Sequence, residues 1–425
     1  MPRLLFLLFA LTLPASALAQ TPMPPGHDHQ MPAEESPLGI DHARDGSGTS
    51  WLPDALPESG AMWRRGRVML MLHGRAFLQY IDVGSDRGDR WSGSTNWLMG
   101  MAQTPLVGGQ LQLRAMASAE PWTVGRCGYP NLLQTGELCR GNPLHDRQHP
   151  HDLFMELAAR YRRAITGSLA VEVYGGFAGE PALGPTAFPH RRSAAPNPIS
   201  PISHHWLDST HISFGVATAG VYGRAWKAEG SIFNGREPND RRHDISRAPL
   251  DSYSGRFWLL PSPHWAIQVS AGRLKESDYL HFFQDVDRIT ASATHHRLIG
   301  DRAIATTVAW GQNRDASDSN SALVVESALE LSTDGTVFGR AEVAGKNAHE
   351  LDLPHDHENM QHGATYRLVK VQAGYTRWLL IRGPLKAGAG GSAGVSILPA
   401  ALKSGYGSRT AGEFSVFLTV GVGTR

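Results

Sequence analysis

Residues 321–331, SALVVESALEL, alternate between two kinds of side chain in a way that decides the fold. Leu323 and Val325 fall on one face of an extended chain. Glu326 and Glu330 fall on the other, because successive side chains of a β-strand point to opposite sides. The segment therefore predicts a strand with one apolar and one polar face.

The same alternation recurs throughout the chain, in GQLQLRAMAS (109–118), GRAWKAEGSIF (223–233), GTVFGRAEVAG (335–345) and EFSVFLTVGVG (413–423). These runs are about 10–13 residues long, which is the length that a tilted strand needs to cross a bilayer. Strands of soluble sandwiches are usually nearer five or six residues. The pattern therefore favours strands that span a membrane.

Continued along the chain, the pattern predicts sixteen strands, at 67–83, 95–104, 109–120, 152–163, 167–179, 209–220, 222–234, 251–260, 264–275, 289–299, 301–313, 319–332, 335–347, 364–379, 383–398 and 411–423. Long and short connections alternate between them, except for a short link at 314–318. This arrangement is typical of an all-β, antiparallel, up-and-down outer-membrane β-barrel. Residues 152–165 also fit a helix by their spacing, and we expect a strand there.

Composition and charge exclude several other classes of protein. The chain has 425 residues, with 40 Lys and Arg against 39 Asp and Glu, a net charge of +1. A nucleic-acid-binding protein needs a basic excess, so we expect no nucleic acid partner. With only two cysteines, the chain cannot build a disulfide scaffold or a cysteine-based zinc ribbon.

The N-terminus carries the features of an export signal. Arg3 precedes an apolar run, and an A-x-A site ends at Ala19, so we expect a signal peptide over residues 1–19. We expect residues 20–60 to form a flexible arm and residues 61–425 to form the barrel. The export signal and the predicted barrel together lead us to expect the outer membrane of a Gram-negative bacterium.

The two cysteines, Cys127 and Cys139, lie in one predicted long loop. Because exported proteins meet an oxidising compartment, we expect a disulfide bond between them. The alternative is a pair of free thiols.

Residues 181–220, 229–242 and 249–258 resemble a family of uncharacterised bacterial outer-membrane β-barrel proteins. The resemblance extends mainly over residues 150–315, and it implies a barrel and an outer-membrane location. More loosely, the N-terminal patch TPMPPGHDHQMP (21–32) is similar to the Met- and His-containing arms of outer-membrane copper-resistance proteins.

Histidine is abundant, with 20 copies. Three clusters fall in predicted long loops: LHDRQHPHD (144–152), ISPISHHWLDSTH (199–211) and HELDLPHDHENMQH (349–362). Imidazole with carboxylate suits copper, zinc, nickel or iron, and copper or zinc is the metal that we expect. The candidate ligands are His145, His149, His151, His204, His205, His355, His357 and His362. The alternative is that these histidines only order their loops.

Mixed charges occupy the faces that would point into the barrel, at Arg114, Lys227, Glu229, Glu326, Glu330, Arg340 and Glu342. They could line a wet channel or pair with one another to fill a closed interior. The main hypothesis is a channel or transport barrel for small polar solutes or metal ions, working with a periplasmic transport partner. The alternative is a closed barrel whose His-rich loops bind metal at the cell surface.

A third hypothesis is a lipid-acting enzyme. His211 lies close in sequence to Asp208, Ser209 and Ser213, and on a strand it would share a face with Ser213. A nucleophile needs an adjacent base, but the chain has no G-x-S-x-G motif. We therefore expect no enzymatic activity and assign no catalytic residue.

Overall fold

The computed structural model describes residues 37–56, 60–277, 284–316, 318–353 and 365–423. Most of these residues belong to one antiparallel sheet that closes on itself to form a barrel. No helix in these ranges is long and apolar enough to cross a membrane.

The described residues form nineteen strands, which are β1 (Ala61–Arg65), β2 (Val68–Val83), β3 (Arg90–Leu106), β4 (Gly109–Ala117), β5 (Tyr129–Cys139), β6 (Asn142–Gln148), β7 (Phe154–Ala164), β8 (Ala170–Ala178), β9 (Val216–Tyr222), β10 (Trp226–Phe233), β11 (Ser252–Ser262), β12 (Trp265–Leu274), β13 (Val286–Ile299), β14 (Arg302–Arg314), β15 (Ser319–Ser332), β16 (Gly335–Asn347), β17 (Thr365–Arg382), β18 (Leu385–Ile397) and β19 (Thr410–Val422). Three single-turn helices are α1 (Glu120–Thr123), α2 (His204–Leu207) and α3 (Lys403–Tyr406). Short 3₁₀ helices occur at Pro37–Gly39, His42–Arg44, Phe188–His190, Ser209–His211 and Ala400–Leu402.

Sixteen of these strands make the barrel wall, and closure joins its last strand to its first. β19 pairs with β2 from Glu413 opposite Val83 to Val422 opposite Gly74. β1 forms a hairpin with the start of β2, beyond the end of β19. β5 and β6 pair only with each other, and β4 pairs directly with β7. The fold class predicted from the sequence, an antiparallel barrel of about 16 strands, is confirmed.

The predicted strands agree with the observed ones except at one place. Residues 152–165, for which a helix was the alternative, contain β7. The strand predicted at 209–220 begins only at Val216, and Ser209–His211 form a 3₁₀ turn instead. The prediction was wrong there because residues 179–215 turn into the lumen, so apolar side chains in this stretch pack inside the barrel.

Apolar side chains cover the outside of the wall. Along β15, Leu323 and Val325 are exposed, whereas the adjacent Val324 and Glu326 are buried. The same outward set includes Leu98, Leu113, Val173, Val269, Ile289, Val308, Val371, Val416 and Leu418. Since backbone groups inside lipid must all be paired, a closed barrel with such a surface is suited to span a membrane.

The predicted loop at 121–151 holds the β5–β6 hairpin, which the sequence did not reveal. Its backbone is irregular, with positive φ at Leu133, Glu137 and Asp146, so its side chains lack a regular two-residue period. The expected disulfide between Cys127 and Cys139 is present at the outer end of this hairpin.

The N-terminal arm differs from its prediction. Residues 37–56, expected to be part of a flexible arm, lie inside the barrel, where Thr49, Ser50 and Leu52 are fully buried. Residues 61–65, which precede the first predicted strand, form β1 and pair with the start of β2. The predicted signal peptide (1–19) and the Met- and His-containing patch lie outside the described residues.

We expect a charge on the outer face to destabilise the barrel. Arginine in place of Leu113 or Val325 should lower the free energy of unfolding by about 2–4 kcal/mol if the site lies near the bilayer midplane. Arginine in place of Val107 should cost at most about 1 kcal/mol, because this exposed residue sits in a tight turn at the end of β3. Denaturant titration of the folded barrel in lipid measures all three. Equal losses would show that the assigned outer face is wrong.

Candidate functional site

Three inserted segments occupy much of the barrel interior. The first is the plug, residues 37–56, and the second is the inner segment, residues 179–215, which connects β8 to β9. The third is the β5–β6 hairpin. Sixteen strands alone would leave a wide lumen, so these segments decide what space remains.

Ion pairs anchor the plug to the barrel wall. The Asp45 carboxylate accepts hydrogen bonds from Arg160 and, at 3.1 Å, from Arg162. Arg114 donates to the backbone carbonyls of Gly46 and Gly48, at 3.1 and 2.8 Å. Inward charges that could have faced water are therefore neutralised by a segment from far away in the sequence.

Two further wall residues, on β10 and β11, also hold the plug. Lys227 is paired with Glu172 at 3.0 Å and also donates to the carbonyl of Thr49. Arg256 is paired with Glu229 at 2.8 Å and donates to the Thr49 hydroxyl at 3.1 Å.

The inner segment is fixed by a buried arginine. Arg191 donates to Asp208, in the same segment, at 2.6 Å and to Glu326 of the wall at 2.7 Å. Arg340 donates to Glu326 at 3.1 Å and to the carbonyl of Ile199 at 2.7 Å. One wall carboxylate thus joins two guanidinium groups and ties the segment to β15 and β16.

The seven predicted lumen-facing residues lie inside the barrel in this structure. Six are buried, namely Arg114, Lys227, Glu229, Glu326, Arg340 and Glu342. Glu330 lines a cavity and accepts a hydrogen bond from the backbone of Ala303 at 3.0 Å. Both alternatives drawn from the sequence are partly met, because most of these charges pair while unfilled space persists nearby.

Two adjoining cavities run beside the inner segment. The first has a volume of about 80 Å³ and lies near the tight turns, next to Ala303 and Thr336. The second, about 50 Å³, extends toward the long loops and reaches His149 and His151. Arg75, Trp97, Pro189 and Ala195 line both cavities.

A cluster of three histidines lies at the long-loop end of this space. His149, His204 and His205 each offer one ring nitrogen, and these nitrogens lie within 4.8 Å of one another. All three side chains are buried, with at most 8% of their surface exposed. Two of the predicted clusters, 144–152 and 199–211, therefore meet in the fold.

Each of these histidines is oriented by a carboxylate. Nδ1 of His204 lies 2.9 Å from Asp208, and Nδ1 of His205 lies 2.8 Å from Glu237. Nδ1 of His149 lies 3.2 Å from Glu137. These partners fix the direction in which each imidazole points.

Burial keeps two members of the cluster neutral. It lowers the pKa of His204 to about 4, despite the opposing effect of Asp208. Burial and the nearby Arg242 guanidinium hold the pKa of His149 well below its usual range. Neutral imidazole is the form that binds a metal.

His151 has the opposite character. Burial opposes its charged form, but the carboxylate of Glu120, 3.0 Å from its Nδ1, outweighs this and raises the pKa of His151. This candidate ligand therefore binds a proton more readily than His149 or His204.

The remaining predicted histidines are not part of the observed cluster. His145 lies apart from the cluster, with Nδ1 3.0 Å from the carbonyl of Glu350. His355, His357 and His362 lie outside the described residues, so their assignment as ligands stays a prediction.

The groups considered for an enzyme do not form a nucleophile–base pair. Nδ1 of His211 lies 2.8 Å from the carbonyl of Asp208. The hydroxyl of Ser213 donates to the carbonyl of Thr210, and that of Ser209 accepts from Arg288. Both hydroxyls thus have partners other than His211.

Three carboxylates that orient histidines were not predicted from the sequence: Glu120, Glu137 and Glu237. Glu237 comes from the connection after β10, in the segment NGREPND, which carried no metal-binding pattern. Only Asp208, four residues after His204, had a usable signal, because an i, i+4 pair shares one face of a helical turn.

We expect Arg191→Met to release the inner segment. The change leaves Asp208 and Glu326 buried without their shared cation, which should cost about 3–5 kcal/mol of the free energy of unfolding. Denaturant titration measures the cost, and limited proteolysis should show new cleavage within residues 179–215.

The exposed Arg241→Met is the matched control and should change neither readout. An Arg191→Met protein as stable and as resistant to protease as this control would contradict the anchoring role.

Comparison with known proteins supports the fold. No family model matches the chain, and no curated protein matches its sequence. Among solved structures, an anion-selective porin from Comamonas acidovorans is similar, with 11% identity, 83% of this chain and 99% of that chain covered, and a TM-score of 0.50.

Two other solved structures resemble this chain at lower TM-scores. OmpF of Salmonella typhi in complex with daunomycin has 10% identity, 85% and 99% coverage and a TM-score of 0.49. The outer membrane channel DcaP of Acinetobacter baumannii has 9% identity, 84% and 98% coverage and a TM-score of 0.49. The resemblance to copper-resistance proteins gained no support. The chain thus has the closed, 16-stranded antiparallel β-barrel fold of outer-membrane porins.

Proposed function

We propose that this protein is an outer-membrane channel for small polar solutes. The observation that carries the proposal is the pair of cavities sharing Arg75, Trp97, Pro189 and Ala195, which follow one side of the inner segment from the tight-turn end toward the long loops. The apolar exterior and the closed sheet support insertion into a bilayer. Cavities this small, about 80 and 50 Å³, suit small solutes rather than polymers.

The charge of the first cavity favours anionic solutes. Arg75, Arg192 and Lys386 line it, against the single carboxylate of Glu330. Arg75 belongs to both cavities, and its guanidinium donates to the carbonyl of Ala195 at 2.6 Å. A wall of one sign raises the local concentration of the opposite ion, so a permeating anion would meet Arg75 at the junction.

The closed metal-binding barrel remains the second candidate, because the plug and the inner segment fill so much of the lumen. The lipid-acting enzyme has no supporting geometry at His211. A periplasmic transport partner stays a prediction.

The channel proposal predicts that the plug limits conductance. A chain lacking residues 37–56 should conduct more than the intact protein in a planar bilayer, because twenty residues leave the lumen. If the deletion variant does not fold, Asp45→Ala is a second test. It removes the carboxylate held by Arg160 and Arg162 and should also raise conductance. Asp301→Ala, which removes an exposed carboxylate from a tight turn, is the control and should conduct like the intact protein. An intact protein that never conducts would favour the closed barrel.

Ion selectivity tests the role of the junction. The intact protein should prefer chloride over potassium, and Arg75→Gln should reduce this preference, as a shift of the reversal potential in a salt gradient. Arg297→Gln is the control, because this exposed arginine lies outside both cavities. A cation preference in the intact protein would contradict the charge argument.

A further inference from the structure

The three buried histidines have the arrangement of a ligand site. His149 comes from the end of the β5–β6 hairpin, and His204 and His205 come from α2 of the inner segment. Their ring nitrogens lie within 4.8 Å of one another, so a single ion between them could contact all three.

A carboxylate approaches one nitrogen of each ring. Asp208 and Glu237 approach Nδ1 of His204 and His205 at 2.9 and 2.8 Å, and Glu137 approaches Nδ1 of His149 at 3.2 Å. A proton on Nδ1 that is donated to a carboxylate places the lone pair on Nε2. Histidines that bind metals characteristically have such a partner on the second nitrogen.

These partners are themselves linked. Glu237 accepts a hydrogen bond from the backbone N–H of Glu137 at 3.0 Å. Arg242 is paired with Glu137, and Arg191 with Asp208. Carboxylates from the hairpin, the inner segment and the connection after β10 are thus held together around the three imidazoles.

The backbone also makes room for the site. Gly136 has φ +113°, and a Cβ atom on it would lie 2.1 Å from Cε1 of His205. Only glycine fits both this conformation and the close approach of the imidazole ring.

We infer that His149, His204 and His205 form a binding site for a divalent first-row transition metal ion. Three imidazoles suit zinc, copper or nickel, whereas calcium and magnesium prefer oxygen ligands. Three protein ligands leave a further coordination position for water or a small anion.

The site has space on two sides. His149 lines the second lumen cavity, whereas His205 lines an outer recess of about 30 Å³. That recess also carries Asp315, Asp318 and Glu350, which would attract a cation. The inference goes beyond the proposed channel, since the site could bind an ion whether or not solutes cross the barrel.

Calorimetric titration of the folded, full mature protein with zinc, nickel or copper chloride tests the site. We expect one saturable equivalent of metal, and no heat of binding with calcium or magnesium. Loading with cobalt(II) should add visible absorption bands typical of four- or five-coordinate nitrogen ligation.

Variants separate this site from other histidines. His204→Ala should weaken the affinity at least tenfold, and Glu237→Gln should weaken it by about 10–100-fold through the orientation of His205. His145→Ala is the matched control, because His145 lies on the same hairpin but contacts Glu350 instead. Circular dichroism and denaturant titration should show that the variants keep the barrel.

The metal site is overturned if the protein binds no metal with saturation. It is also overturned if His204→Ala binds as tightly as the intact protein, or if replacing His355, His357 and His362 with alanine abolishes the binding instead. Conductance of the same preparation is scored separately, so a conducting protein without a metal site and a metal site in a non-conducting barrel are distinct results.

Discussion

Backbone hydrogen bonding in a medium without water is the constraint on which the rest of this structure depends. A strand exposed to lipid must pair on both edges, so the sheet has to close, and here β19 meets β2 over ten residue pairs. Closure sends every second side chain outward to lipid and every other one inward. Some inward side chains, such as Val324 and Leu368, are apolar and pack against the inner segment. Many of the others are polar or charged.

The polar side chains of the interior need partners inside the barrel. Buried charges are costly unless they are paired and hydrogen-bonded. The plug and the inner segment supply these partners: Asp45 for Arg160 and Arg162, and Arg191 for Glu326. The same contacts that neutralise the wall also position α2, which carries two of the three clustered histidines.

Positioning the inner segment also shapes the remaining space. The cavities lie on the side of the barrel where Arg75 and Trp97 stand and where Pro189 and Ala195 form the opposing surface. A single inserted segment therefore forms one wall of the proposed solute path and carries part of the proposed metal site. The two proposals share a scaffold, although they concern different ligands.

The sequence by itself determined the barrel, most of its wall strands and its membrane-facing surface, because a two-residue alternation is local and survives in those strands. It also indicated three histidine clusters and put His149, His204 and His205 among the candidate ligands, but it did not show that these three would cluster without His145. Only the tertiary structure placed the plug, the β5–β6 hairpin and the carboxylates Glu137 and Glu237. Irregular segments with positive φ have no regular alternation of side chains, so the sequence does not reveal them. Their positions depend on the buried charges of the wall with which they pair.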